Sequence, residues 1–225
     1  MRQRAFTLAE VLITLGIIGI VAAMTIPNII AGYNKKVVES RLTKLYSTIN
    51  QAIRMSEERN GSCRYWDWGD INNHRDIEIM EKWWNTYLKD YLPNVIATKK
   101  DYGNDAYKLY FKDGSALTIE AIPGTYLIFI IYPQAKFSKS NTLELSTEKA
   151  GKDSFKFLIY PNSNTGCNIT TSTTTRAMDN EELKTKCLEE YKKERYGSGG
   201  YCAELIIRNG WKIPDDYNIK ILGLI

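Results

Sequence analysis

The sequence predicts an α+β fold: a long N-terminal helix, first apolar and then amphipathic, packed on a small antiparallel β-sheet and followed by a helical, disulfide-bearing C-terminal segment. Three observations predict it. Residues 6–26 are an apolar run holding one carboxylate, Glu10. Leu42, Leu45, Tyr46, Ile49, Ala52 and Ile53 then recur at spacings of three and four, a helical stripe flanked by Lys44, Asn50, Gln51 and Arg54. Farther on, short apolar or alternating segments are separated by Asp113-Gly114 and Pro123-Gly124, as in consecutive hairpins.

The apolar run of about 21 residues is roughly 31 Å long as a helix, enough to cross a bilayer. A carboxylate in such a span costs about 2.5–3.5 kcal/mol at mid-membrane and less near the interface, so Glu10 points to a cationic partner. A plain signal anchor, with Arg2 and Arg4 held inside, has no use for Glu10. A secretory signal cut near Val21-Ala22-Ala23 is disfavoured by the same charge and by a run longer than the usual ~7–15 residues. The amphipathic stripe carries the helix to about Glu58, with Asn60-Gly61 as a left-handed stop.

Residues 62–105 read as a loop with aromatic anchors, Trp66, Trp68, Trp83 and Trp84, and a short helix over 78–91 that ends before Pro93. Packing over the stem accounts for these aromatics better than binding of bases or sugars. Strands are expected at 107–112, 116–120, 126–132 and 155–160, and the near-continuous apolar run of the third marks it as buried on both faces. Hairpin connections make the sheet antiparallel. The polar tract 170–175 reads as an exposed loop. Asp179-Asn180-Glu181-Glu182 opens a helix running to about Tyr196, and residues 202–209 form a last one capped by Gly210.

The formal charge is +4, too small to argue for nucleic acid. Lys184, Lys186, Lys192, Lys193 and Arg195 alternate with Glu189, Glu190 and Glu194, a solvated helix face. The 4 cysteines, Cys63, Cys167, Cys187 and Cys202, all follow the apolar run. Outside the cytoplasm they read as two disulfides with three possible pairings. The local pair Cys187–Cys202 is favoured, leaving Cys63–Cys167 to tie the end of the long helix to the domain. No Cys-x-x-Cys occurs and His74 is the single histidine, so neither a metal nor a cofactor is expected. With no Gly-x-Ser-x-Gly and no phosphate loop, the chain does not read as an enzyme.

Arg2-Gln3-Arg4-Ala5 followed by Phe6-Thr7-Leu8-Ala9-Glu10 closely resembles the processing site of type IV pilins and type II secretion pseudopilins. The resemblance implies a prepilin leader over 1–5, a transmembrane and polymerisation helix over 6–26, an amphipathic stem helix over 27–61 and an extracytoplasmic globular pilin-like domain over 62–225. It implies cleavage between Ala5 and Phe6, N-methylation of Phe6, and an assembly role for Glu10 facing the N-terminal amine of a neighbouring subunit. The residue before the cut is usually Gly; Ala5 is a small substitute. Gly16, Gly19 and Pro27 imply a helix that distorts, a flexible anchor rather than a rigid rod. Removing Arg2 and Arg4 leaves 28 basic against 26 acidic side chains (30 − 2 = 28).

Residues 42–61, 151–157 and 202–217 also resemble segments recurring in a bacterial family of uncharacterised prepilin-type proteins. Many relatives carry an Asp-x-Asn-Gly turn before the second of these; here a lysine-bearing stretch over 132–150 replaces it. Asp215-Asp216 lie where major pseudopilins hold calcium, but two carboxylates fall short of the six or more oxygens calcium takes, so they read as solvated acids. The expected function is therefore that of a structural subunit, a pseudopilin or minor type IV pilin. It would be processed by prepilin peptidase and assembled with other pilin or pseudopilin subunits into a pilus or secretion pseudopilus. Its place would be the bacterial inner membrane, single-pass, with the N-terminus cytoplasmic and the C-terminal domain outside, and then the filament. The alternative is a membrane-anchored or secreted binding module that never polymerises.

Overall fold

The computed structural model describes residues 7–68, 77–101, 106–122, 126–133, 150–160, 166–193 and 199–217. The chain divides into two compact units, one ending its long N-terminal stretch at Val37 and the other beginning at Val38. The first helix, α1, is assigned without a break over Leu8–Asn60. It stops at Gly61, whose φ of 75° is the left-handed conformation expected of that glycine. The distortion expected at Gly16, Gly19 and Pro27 does not interrupt the element. Pro27 lies inside it and removes one backbone bond, because its nitrogen carries no proton.

Within the second unit, Val38, Leu42, Leu45, Ile49, Ala52 and Ile53 of α1 are all buried. Their spacing puts them on one face, and that face meets the sheet: the Tyr46 ring lies 5.4 Å from that of Phe157. After α1 comes a 3-10 turn over Cys63–Tyr65 and a second helix, α2, over Ile77–Tyr87. α2 ends short of the expected residue 91, because Lys89–Tyr91 closes as a separate 3-10 turn ahead of Pro93. Trp66 stacks on Tyr87 with ring centroids 4.6 Å apart, and Trp68 and Trp83 complete a buried cluster whose members mostly touch one another.

Five antiparallel strands follow in chain order: β1 Val95–Asp101, β2 Ala106–Phe111, β3 Ala116–Ile122, β4 Tyr126–Tyr132 and β5 Phe155–Ile159. β1 was not anticipated. Among the described residues it pairs with β2 alone, at the edge of the sheet; its Ile96 is exposed, and it reads Val-Ile-Ala-Thr-Lys-Lys-Asp, too polar to show a buried period. The register aligns Tyr107, Ile119, Phe129 and Phe157 in one row and Leu109, Leu117, Ile131 and Phe155 in the next, all buried on one face. The opposite face is buried as well. Ala116, Ile128, Ile130, Tyr132 and Leu158 form a second apolar cluster there, and Lys108, Thr118 and Glu120 share that side of the register. This explains the unbroken apolar sequence of β4.

Three helices close the described chain: α3 Thr173–Ala177, α4 Asn180–Lys193 and α5 Gly200–Arg208. The tract expected as an exposed loop is instead structural. Thr170 bridges Leu158 of β5, Thr171 and Thr175 are buried, and the Ser172 hydroxyl accepts the Thr175 N–H to cap α3. Thr and Ser favour such caps over bare loops when a following turn can bury one face. Asp179 caps α4 by accepting the Glu182 N–H at 2.9 Å, and Gly210 ends the last helix at φ 66°. Cys187 and Cys202 join α4 to α5 with Cα atoms 4.8 Å apart, and Cys63 pairs with Cys167, Cα atoms 6.1 Å apart.

Around the Cys187–Cys202 bond the packing is close. The Tyr217 hydroxyl donates to the Gly151 carbonyl at 2.6 Å, and Gly151 has φ 75°. A Cβ on Gly151 would overlap the Cys202 sulfur and lie 2.7 Å from Cys202 Cβ. Beside this cluster the half-buried Glu190 carboxylate accepts the Gly199 N–H at 3.0 Å, and desolvation pushes its pKa from 4.5 up to about 7, against the opposing pull of Gly199 and Lys156. Burial likewise holds the Lys156 ammonium below its ordinary value.

Gly151→Ala should destabilise the protein by about 3 kcal/mol or more, combining left-handed strain with overpacking. Gly166→Ala, equally left-handed but with nothing within 4 Å, should lose only the strain, about 1–2 kcal/mol. Chemical denaturation of the two variants compares them. Glu190 is an acid whose folded pKa is raised, so its contribution to stability is present below pH 4.5 and is lost as pH rises toward 7. Glu190→Gln keeps an acceptor for Gly199 and should flatten the pH dependence of unfolding across that window.

Candidate functional site

The features that carry function in the sequence lie at the start of α1. Thr7 precedes the first helical residue and Glu10 sits three positions later, the Thr-x-x-Glu spacing of a capping box. Glu10 Oε2 accepts both the Thr7 N–H and the Thr7 hydroxyl at 2.8 Å, and the Glu10 N–H donates back to Thr7 Oγ1 at 3.3 Å. The pair satisfies orphan donors of the first turn and gives the carboxylate two donors on its own chain. Sequence reasoning singled out Glu10 but missed Thr7 as its partner, although the capping-box spacing was there to be read.

Beyond Glu10 the helix presents apolar side chains outward. Leu12, Ile13, Leu15, Ile17, Ile18, Ile20 and Met24 are all exposed. Among the described residues α1 is the helix long and apolar enough to cross a membrane, and none of its most apolar stretch is buried. A water-exposed surface of this kind is unfavourable by about 25 cal/mol per Å², which fits a single-pass anchor with lipid or neighbouring helices around it. Among the described residues nothing lies within 4 Å of where a Cβ on Gly16 or Gly19 would stand.

Of the other residues marked from sequence, Ala5, Phe6 and His74 lie outside the described residues. Asp216 Oδ2 meets Lys184 Nζ at 2.7 Å, and that bond holds its carboxyl below the ordinary value. Its nearest charge is thus a lysine. Lys184 also bonds Glu181 and Lys186 bonds Glu189, so these lysines sit in exposed ion pairs. Among the described residues one group has metal-ligand chemistry, Glu57 with Cys63 and Cys167, their ligand atoms within 4.8 Å of one another. Its sulfurs are joined to each other rather than free as thiolates, and Glu57 Oε1 accepts the Cys63 N–H at 3.0 Å.

Residues 1–26 match the model of the prokaryotic N-terminal methylation motif, a stretch that includes the basic leader, Glu10 and the apolar run. Residues 28–221 match the model described as Family of unknown function (DUF6613). No curated protein and no solved structure matches the chain. The protein therefore belongs to the DUF6613 family of unknown function, and its N-terminus is that of a type IV pilin-like prepilin.

Proposed function

We propose that the protein is a structural subunit, a pseudopilin or minor type IV pilin, and not an enzyme. The observation that carries this reading is Glu10, the one acidic residue before Glu39, set in an outward-facing apolar helix within the stretch that matches the methylation motif. In this reading prepilin peptidase cuts between Ala5 and Phe6 at the cytoplasmic face, Phe6 is methylated, and the chain waits as a single-pass inner-membrane protein with its domain outside. The Glu10 carboxylate then meets the N-terminal amine of a neighbouring subunit, a pairing that hydrocarbon makes strong because neither charge is solvated there. That contact sets the axial register of the filament.

A second reading has one observation in its favour. The two donors of Thr7 already serve Glu10, so the span can rest in a bilayer without a cationic partner, as a non-polymerising anchored module would. Intact mass and N-terminal sequence of the membrane-extracted chain, with and without co-expressed peptidase, test the first step. A chain starting at N-methyl Phe6 only when the peptidase is present is expected; one starting at Met1 in both cases overturns processing. Glu10→Ala should insert and be cut normally yet enter filaments at least about tenfold less well. Equal incorporation, measured in the sheared filament fraction, rejects the register role and leaves the anchored module.

A further inference from the structure

The polar side chains of the apolar span are complete within the span. Residues 7–26 hold four side chains with hydrogen-bonding groups, Thr7, Glu10, Thr14 and Thr25. Thr14 donates to the Val11 carbonyl and Thr25 to the Val21 carbonyl, each at 2.9 Å. Thr7 and Glu10 bond reciprocally. Every side-chain hydroxyl of the span thus has an acceptor on the same helix, and the carboxylate has donors there. In hydrocarbon an unmet polar group costs several kcal/mol, so this arrangement is what allows the helix to stand alone in lipid.

We propose that Thr7 keeps Glu10 self-capped in the unassembled chain, and that joining a filament exchanges this cap for the amine of a second copy. The proposal rests on the assembly role given to Glu10 above. It adds a competitor to that role: the Thr7 hydroxyl and the incoming amine seek the same carboxylate. The hydroxyl is the adjustable half of the cap, since the Thr7 N–H belongs to the backbone and survives any substitution but proline. With the hydroxyl removed, the unassembled state loses a donor to Glu10 while the paired state keeps its amine. The balance then moves toward assembly.

Thr7→Val removes the hydroxyl at nearly constant shape, and Thr7→Ser retains it. Amide hydrogen exchange of the full, unprocessed chain in lipid nanodiscs reads the cap directly, with no assembly involved. The Glu10 amide should exchange about fivefold faster in Thr7→Val, the size of a lost N-cap, and at the parent rate in Thr7→Ser. In cells with the peptidase, processed Thr7→Val should leave a monomer pool several-fold smaller relative to filaments than the parent, and Thr7→Ser an unchanged one. Equal Glu10 exchange in the parent and Thr7→Val overturns the self-cap. Faster exchange with an unchanged or larger monomer pool overturns the competition. Glu10→Ala assembling as well as the parent defeats the register reading instead, and leaves the exchange comparison standing by itself.

Discussion

One stretch of helix organises the globular unit. Between Glu39 and Asn50, α1 places four polar side chains, each bonded to a different later part of the chain. Glu39 accepts the Ile213 N–H at 2.9 Å and the Lys212 ammonium at 3.2 Å, which fixes the segment after α5. Arg41 donates to the Pro133 carbonyl at 2.8 Å, just past β4. Lys44 meets Asp113 at 2.8 Å in the turn between β2 and β3. Asn50 accepts the Ile169 N–H at 2.8 Å, two residues beyond Cys167. The apolar stripe on the same helix supplies most of the burial energy, but apolar contact alone leaves the sheet free to slide along it. These polar bonds remove that freedom, most firmly at the buried Glu39 and Asn50, because a buried donor or acceptor separated from its partner costs more than the bond contributes when made.

The C-terminal helices are held by a different device. Arg208 donates to the carbonyls of Met178 and Arg176 and to Asn180 Oδ1, and its Nε meets Glu204 at 2.8 Å, while Glu204 in turn accepts the Thr171 hydroxyl. The guanidinium's fixed fork thus joins α3, the start of α4 and α5. On the far side of α5 the same role falls to the Cys187–Cys202 bond and to the Tyr217–Gly151 contact. The Cys187–Cys202 bond closes a loop of 15 residues, whereas Cys63–Cys167 spans 104 and removes more unfolded-state freedom in the chain-entropy model, about 4.7 against about 3 kcal/mol. A long closure just past the end of α1 and a short one between α4 and α5 divide the work of holding these elements together.

What was legible from sequence followed periodicity and punctuation. The stem stripe, the Asp113-Gly114 hairpin, the apolar β4 and the glycine stops at Gly61 and Gly210 each declare themselves in a few adjacent residues, and each stands where it was expected. What was missed depends on partners far away in the chain. β1 is a strand because β2 pairs with it, not because its own residues insist on it. Thr171 and Thr175 of the threonine tract are buried because the tract is held down from outside it, Thr170 by β5 and Thr171 by Glu204 of α5. The buried charges on the second sheet face leave no local mark at all: Lys108 and Glu120 look like ordinary outward residues of alternating strands until both faces are covered. Thr7 is the exception: its capping-box spacing with Glu10 is local, written in four adjacent residues.

The Thr7 cap changes the balance of forces on Glu10. The cost of a carboxylate in hydrocarbon was an argument for a partner on another chain only so long as its own chain offered none. With Thr7 donating twice, the carboxylate has donors in lipid without a second subunit. The charge is still uncompensated, however: hydrogen bonds satisfy the oxygen's lone pairs but leave the net charge of the site at minus one. A cationic amine from a neighbour therefore offers what the threonine cannot, and it does so most strongly where water is scarce. A site that is hydrogen-bonded but not neutralised is stable enough to persist alone and is still drawn to an opposite charge. Those are the two properties an assembly contact needs when subunits are made one at a time and joined later.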